Sequence, residues 1–240
     1  MRGGEKRASQ NTIQKIRRKK MKTRKLITWV IPILVLVLLM PFYARASEQK
    51  SKVLLFIRKG ISYDIEHMLK EEVGVMTSML EEAGFEVIMA TVSGEPIKIY
   101  GTQPREFMPD LELADVKVND YVGIIMPSMA KGGVWLGWHA SSEEISLVKE
   151  AVAQGKPIAA QKDATVILAE AGVLVGKKYA HYTEPSSLIK SFAGAIYSGE
   201  GVIQDGNIIT SSDGPYSKKL YGRDDKTSEL TKIFIETIKD

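Results

Sequence analysis

No cysteine occurs among the 240 residues, which removes disulfides, thiolate nucleophiles and thiolate-ligated metals together. Histidine is nearly as scarce. His67, His139 and His181 are the whole complement, and they share no ligand-like spacing, so neither a metal site nor a cofactor is expected. No asparagine stands in an N-x-Ser/Thr acceptor. Gly199-Glu200-Gly201 lacks the strand-to-helix context of a dinucleotide fingerprint. Basic charge is also missing where a nucleic-acid-binding face would need it. The formal net charge is +4, yet residues 1–46 hold twelve of the 33 Lys and Arg and one of the 29 acidic residues. Residues 47–240 therefore carry 21 basic against 28 acidic groups, a balance of −7. Nucleic acid is accordingly not expected as a partner.

The amino-terminal residues read as a targeting device. A basic leader, residues 1–25, ends in Arg17, Arg18, Lys19, Lys20, Lys22, Arg24 and Lys25. Leu26 to Tyr43 follows with no charge and much Leu, Ile and Val. As a helix it would rise about 27 Å, enough for the hydrocarbon core of a bilayer. The positive-inside rule keeps the leader cytoplasmic and sends residues 47–240 to the extracytoplasmic side. Ala44-Arg45-Ala46 before Ser47 has the small-x-small pattern of a signal-peptidase site. Residues 26–46 thus fit both an uncleaved transmembrane anchor and a cleaved signal peptide, and the expected location is the cell membrane or beyond it.

Residues 47–240 form one domain with no evident linker. Val53 to Ile57 is a continuous apolar run, as in a parallel strand covered on both faces. Tyr63 to Ala83 has helical spacing, with Leu69, Val73, Met76, Met79 and Leu80 on one stripe and Gly84 at its end. Val87 to Val92 is a second strand. Ser93 to Val118, punctuated by Gly94, Pro96, Gly101, Pro104 and Pro109, reads as a hairpin and loop excursion. Tyr121 to Met126 is a third core strand, stopped by Pro127. Ser142 is placed to cap a helix whose buried face is Ile145, Val148, Ala151 and Val152. Pro157 to Ala160 is a strand and Thr165 to Ala171 a helix. Val202 to Thr210 is a hairpin around Asp205-Gly206, and Glu229 to Lys239 a closing helix. Strands alternating with helices imply an α/β sandwich with a mostly parallel sheet.

Within this order, Leu147 to Ala180 resembles the ThiJ/PfpI superfamily. Ala83 to Val87, Asp120 to Pro127 and Asp205 to Ser211 ahead of Gly214-Pro215 are similar to its other segments. The resemblance spans Val53 to Pro215 and implies a flavodoxin-like three-layer α/β/α fold, related to class I glutamine amidotransferases. It also implies a reactive site at the strand-to-helix elbow, with a cysteine there, commonly followed by histidine and glycine, and a glutamate from the first helix touching the thiol. Those positions fall on Lys162, Asp163, Ala164 and Glu72. The glycines expected after the third strand read Pro127-Ser128-Met129-Ala130 instead.

The family's chemistry needs a thiolate, and lysine does not replace it directly. An ammonium at that elbow needs an anionic partner. An ion pair between Lys162 and Glu72 is therefore expected, with Asp163 the next candidate. The reading that follows is a domain without the family's cysteine-dependent hydrolase or deglycase activity, keeping a pocket of Glu72, Pro127, Ser128, Lys162 and Asp163 for a small anionic or carbonyl-bearing ligand. Two alternatives stay open. Lys162 acting with Glu72 would make the chain a hydrolase or lyase, the amine forming an imine with a carbonyl compound. The aromatic loop Trp135 to His139 would make it an exported interaction scaffold. Ser211, Ser212 and Asp213 match the turn that relatives place near the pocket, while Asp224 to Lys226 reads as a solvated loop. A homodimer is implied by resemblance.

Overall fold

The computed structural model describes residues 50–57, 65–99, 105–128, 139–185 and 189–240. The basic leader, Leu26 to Tyr43, the Ala44 to Ser47 cleavage pattern and Trp135 to Trp138 lie outside the described residues. Among the described residues, no helix is long and apolar enough to cross a membrane.

Strand β1, Lys52–Phe56, lies inside a seven-stranded sheet. It pairs in parallel with β2, Glu86–Thr91, on one side and with β6, Tyr121–Met126, on the other. Beyond β6 come β7, Ile158–Gln161, and β11, Ile208–Ser211, both parallel. Strand β10, Val202–Asp205, closes that edge as the antiparallel arm of a hairpin. The excursion after β2 contains a separate hairpin, β3 Ile97–Ile99 with β4 Arg105–Phe107. It then adds a short strand that the sequence did not suggest, β5 Leu111–Glu112, to the edge of β2. Taking the long parallel strands alone, the order is 2-1-3-4-5, the flavodoxin-like arrangement. Its chain reversal lies between β1 and β6, and sheets of this kind bind ligands beyond the carboxyl ends of the strands at that point.

Side chains alternate across each strand, so one sheet feeds two cores. Leu54, Phe56, Ile124, Met126, Ile158 and Ala160 point to one face. There they meet helix α3, Ser142–Ala153, through Leu147, Val148 and Ala151, and helix α4, Thr165–Glu170, through Val166, Ile167 and Leu168. On the opposite face Val53, Leu55, Ile57, Ile125, Ala159 and Ile209 meet the first helical segment and the last helix, α6 Thr227–Lys239. These are the expected three layers. Gly123 is needed for α6 to close on β6, because a Cβ there would sit 2.8 Å from Phe234.

Several boundaries differ from the sequence reading. The first helical segment is α1, Ile65–Met68, then a π-helical turn, Leu69–Val73, then α2, Gly74–Glu82. The extra residue in the wide turn rotates the stripe, and Met68, Val73, Met76 and Leu80 are its buried members. Gly84 ends the segment at φ 97°, as its position implied. Ser141, not Ser142, caps α3, in a reciprocal capping box with Glu144. Val152 is exposed rather than buried, and Leu147 takes its place. The hairpin turn falls on Gly206-Asn207, with Asp205 paired to Ile208. Short strands β8, Lys178–Tyr179, and β9, Ile196–Tyr197, and helix α5, Ser217–Tyr221, were not anticipated.

Candidate functional site

Three loops converge beyond the carboxyl ends of β6, β7 and β11. Strand β7 runs into a tight 3-10 turn, Lys162–Ala164, which leads directly into α4. Lys162 occupies the left-handed region at φ 53°, alone among the described non-glycine residues. A side chain held there costs roughly 1–2 kcal/mol, so the sharp elbow is imposed by the packing on either side of it. Ala164 and the turn's neighbours Gln161 and Thr165 are fully buried, which fixes the corner and leaves Lys162 and Asp163 half-buried at its apex.

The expected ion pair is not formed. Among the described residues no contact within ion-pairing distance joins Lys162 to Glu72. Both Glu72 oxygens are occupied by Ser128, whose backbone N–H donates to Oε1 and whose hydroxyl donates to Oε2, each at 2.7 Å. The π-helical turn aims Glu72 at the end of β6, and Pro127 delivers Ser128 to it. Burial pushes the Glu72 carboxyl up to about 7, against the opposing pull of the two Ser128 hydrogen bonds. The charge of Lys162 is the weakest of the influences on it.

Lys162 finds aromatic faces instead of a carboxylate. Its Nζ lies 5.3 Å from the ring centre of Tyr182 and 5.3 Å from that of Tyr221. The two rings are nearly parallel, with centres 6.0 Å apart. Such contacts stabilise a cation by about 0.5–2 kcal/mol. Arg223 lies over the same Tyr221 ring at 4.8 Å, but it is committed elsewhere. Its Nε donates to Asp213 at 2.8 Å and its Nη1 to Glu200. Ser212 donates to the other oxygen of Asp213. The Ser212-Asp213 turn thus does lie at the site, as its sequence implied.

Sequence reasoning missed three further participants. His181 is 1% exposed and packs against Tyr182 in a tilted pair with ring centres 4.3 Å apart. Its Nδ1 lies 2.8 Å from the Thr183 carbonyl, which accepts only, so Nδ1 carries the hydrogen and Nε2 a lone pair. Burial holds the ring's pKa down at about 4. Gln161, also fully buried, donates through Nε2 to the Asp213 carbonyl at 3.0 Å and to Thr227 Oγ1 at 2.8 Å. Asp225 is exposed, as a solvated loop implies, and it also accepts from both the amide and the hydroxyl of Thr227, which anchors the start of α6. Gly214 makes the convergence possible. A Cβ on it would lie 2.8 Å from Gln161 Nε2 and 3.5 Å from Glu72 Oε1. The signals available in the sequence were the single histidine just past β8 and the Asp-x-Thr ahead of α6, and neither has a motif around it.

A parallel sheet in flavodoxin order with a left-handed elbow after its fourth strand places the chain among the flavodoxin-like α/β proteins. The DJ-1/PfpI family model matches residues 52–221, and the chain belongs to that family. An uncharacterised protein of Methanocaldococcus jannaschii is 31% identical over 180 residues, covering 74% of this chain and 82% of that one. Another from Archaeoglobus fulgidus is 32% identical over 140 residues, covering 57% and 80% respectively. Among solved structures, a ThiJ/PfpI domain protein from Brachyspira murdochii superposes with a TM-score of 0.59 at 17% identity, over 79% of this chain and 98% of that one. Drosophila melanogaster DJ-1beta gives 0.58 at 24% identity, over 80% and 92%. At these identities the structural likeness speaks for the fold.

Proposed function

We propose that this DJ-1/PfpI domain has left the family's cysteine-dependent hydrolase or deglycase chemistry and uses its elbow to bind a small anionic or carbonyl-bearing ligand. Glu72, Pro127, Ser128, Lys162 and Asp163 frame the site. One observation carries the reading: the Lys162 ammonium sits half-buried between Tyr182 and Tyr221 with no carboxylate partner among the described residues. An ammonium in that setting is short of an acceptor, and a ligand oxygen supplies one. The same rings form cation–π contacts with the amine, which favours binding over imine chemistry.

The chain is placed by this reading at the membrane through Leu26 to Tyr43, as an anchor or a cleaved signal, with residues 47–240 outside and paired as a homodimer. Calorimetric titration of the full chain with acetate and with pyruvate tests the site. Binding that weakens at least tenfold in Lys162→Met supports it. Equal binding by the variant, or deglycase turnover by the wild-type chain, overturns it.

A further inference from the structure

The elbow carries no thiol, but a hydroxyl stands near it with a base already attached. Ser128 follows β6 at the chain reversal of the sheet, where ligands are received. Its hydroxyl donates to Glu72 Oε2 at 2.7 Å, and its own backbone N–H holds Oε1 at 2.7 Å, so the carboxylate is fixed against the oxygen it would deprotonate. Exposure is divided as such a pair requires. Ser128 is partly exposed, whereas Glu72 behind it is wholly buried in the π-helical turn. We propose that Ser128 and Glu72 are a nucleophile and general base for acyl transfer from small carboxylic esters.

In the first step the Ser128 oxygen bonds to the ester carbonyl carbon while its proton passes to Glu72. Collapse of the tetrahedral adduct breaks the ester C–O bond, and Glu72 returns the proton to the departing alcohol. Water then attacks the acyl-serine with Glu72 again taking the proton, and release of the acid restores the hydroxyl. No oxidant, metal or further reactant is needed. A general base works best when its pKa lies near the working pH, and burial has brought Glu72 to about 7. The charged groups that act on it are Asp225, which opposes ionisation, and Lys162, which favours it.

The inference rests on the elbow admitting small carbonyl compounds, and it is tested on the full chain with p-nitrophenyl acetate and a fluorophosphonate probe. Peptide mass spectrometry is expected to place the phosphonyl group on Ser128 and to find no such adduct in Ser128→Ala. Glu72→Gln keeps the shape and a carbonyl acceptor but lacks the base, and labelling is expected to slow by on the order of a hundredfold. In the wild type the rate should rise with pH and level off above about 7, a profile that a merely structural tether would not produce. Labelling elsewhere, an unchanged rate in Glu72→Gln, or a flat pH profile overturns the proposal. Ligand binding that depends on Lys162 without acylation of Ser128 removes this pair alone. Acylation of Ser128 with ligand binding indifferent to Lys162→Met removes the ligand reading alone.

Discussion

Glu72 and His181 are buried groups whose titrations pull stability in opposite directions, and the structure fixes both signs. The Glu72 carboxyl moves from its ordinary 4.5 to about 7 in the folded chain. Between those values the folded state keeps a proton that the unfolded chain has released, so stability falls as pH rises from 4.5 to 7. At about 1.4 kcal/mol per pKa unit the loss is about 3 kcal/mol. His181 moves the other way, from 6.5 to about 4. Here the unfolded chain binds a proton that the folded state refuses, and stability falls by a similar amount as pH drops from 6.5 to 4. From pH 4.5 to 6.5 the two slopes largely cancel in the wild type. Guanidinium unfolding of wild type, Glu72→Gln and His181→Asn at half-unit pH steps separates them, since subtracting the wild type removes every titration the chains share. Relative to wild type, Glu72→Gln should gain about 3 kcal/mol between pH 4.5 and 7, and His181→Asn should gain a comparable amount between pH 6.5 and 4. A difference independent of pH in either variant would refute the burial argument for that residue, because a constant offset reports packing alone.

Other consequences of the geometry can be measured singly. Arg223→Met strips the ion partner from Asp213, whose side chain is 3% exposed, and should cost about 2–3 kcal/mol in chemical denaturation. Gly123→Ala forces a methyl group to within 2.8 Å of Phe234, so α6 must shift. A loss of about 1–3 kcal/mol is expected, with weaker protection of the β6 amides in hydrogen exchange. Reductive trapping with benzaldehyde and cyanoborohydride should label Lys162 no faster than exposed lysines such as Lys218, since its amine is packed against the two tyrosine rings. Preferential modification of Lys162 would instead support the imine alternative. Carbonate extraction of cell membranes should leave the full chain in the pellet if Leu26 to Tyr43 is an uncleaved anchor, and its release would favour cleavage after Ala46.

The layers were legible because they depend on local periodicity. Continuous apolar runs at Val53 to Ile57 and Tyr121 to Met126 read as strands buried on both faces, and the helices between them implied parallel neighbours. Boundaries failed where one residue's worth of backbone decides. The π-helical turn at Leu69–Val73 adds a residue to a turn without altering the apolar composition, so a 3.6-residue stripe reads straight through it. β5 is a two-residue strand recruited by an edge, and no local pattern announces it. At the site, the elbow and the residues on it were legible, but their partners were not. Ser128 and Glu72 stand 56 positions apart, and Gln161 meets Thr227 across 66. A spacing rule based on neighbours has no access to such pairs.

The backbone conformation at the elbow explains why the expected ion pair does not form. A lysine held at a left-handed corner launches its chain in a direction set by the backbone, and here that direction brings Nζ against Tyr182 and Tyr221. Glu72 is wholly buried and already holds two short hydrogen bonds from Ser128. Pulling the ammonium down to it would desolvate a second charge and displace at least one of those bonds. The gain in such a buried pair is offset by desolvation, whereas the aromatic faces stabilise the cation while it keeps part of its hydration. The positive charge therefore stays at the rim of the elbow, and the buried carboxyl meets a serine that the end of β6 delivers to it.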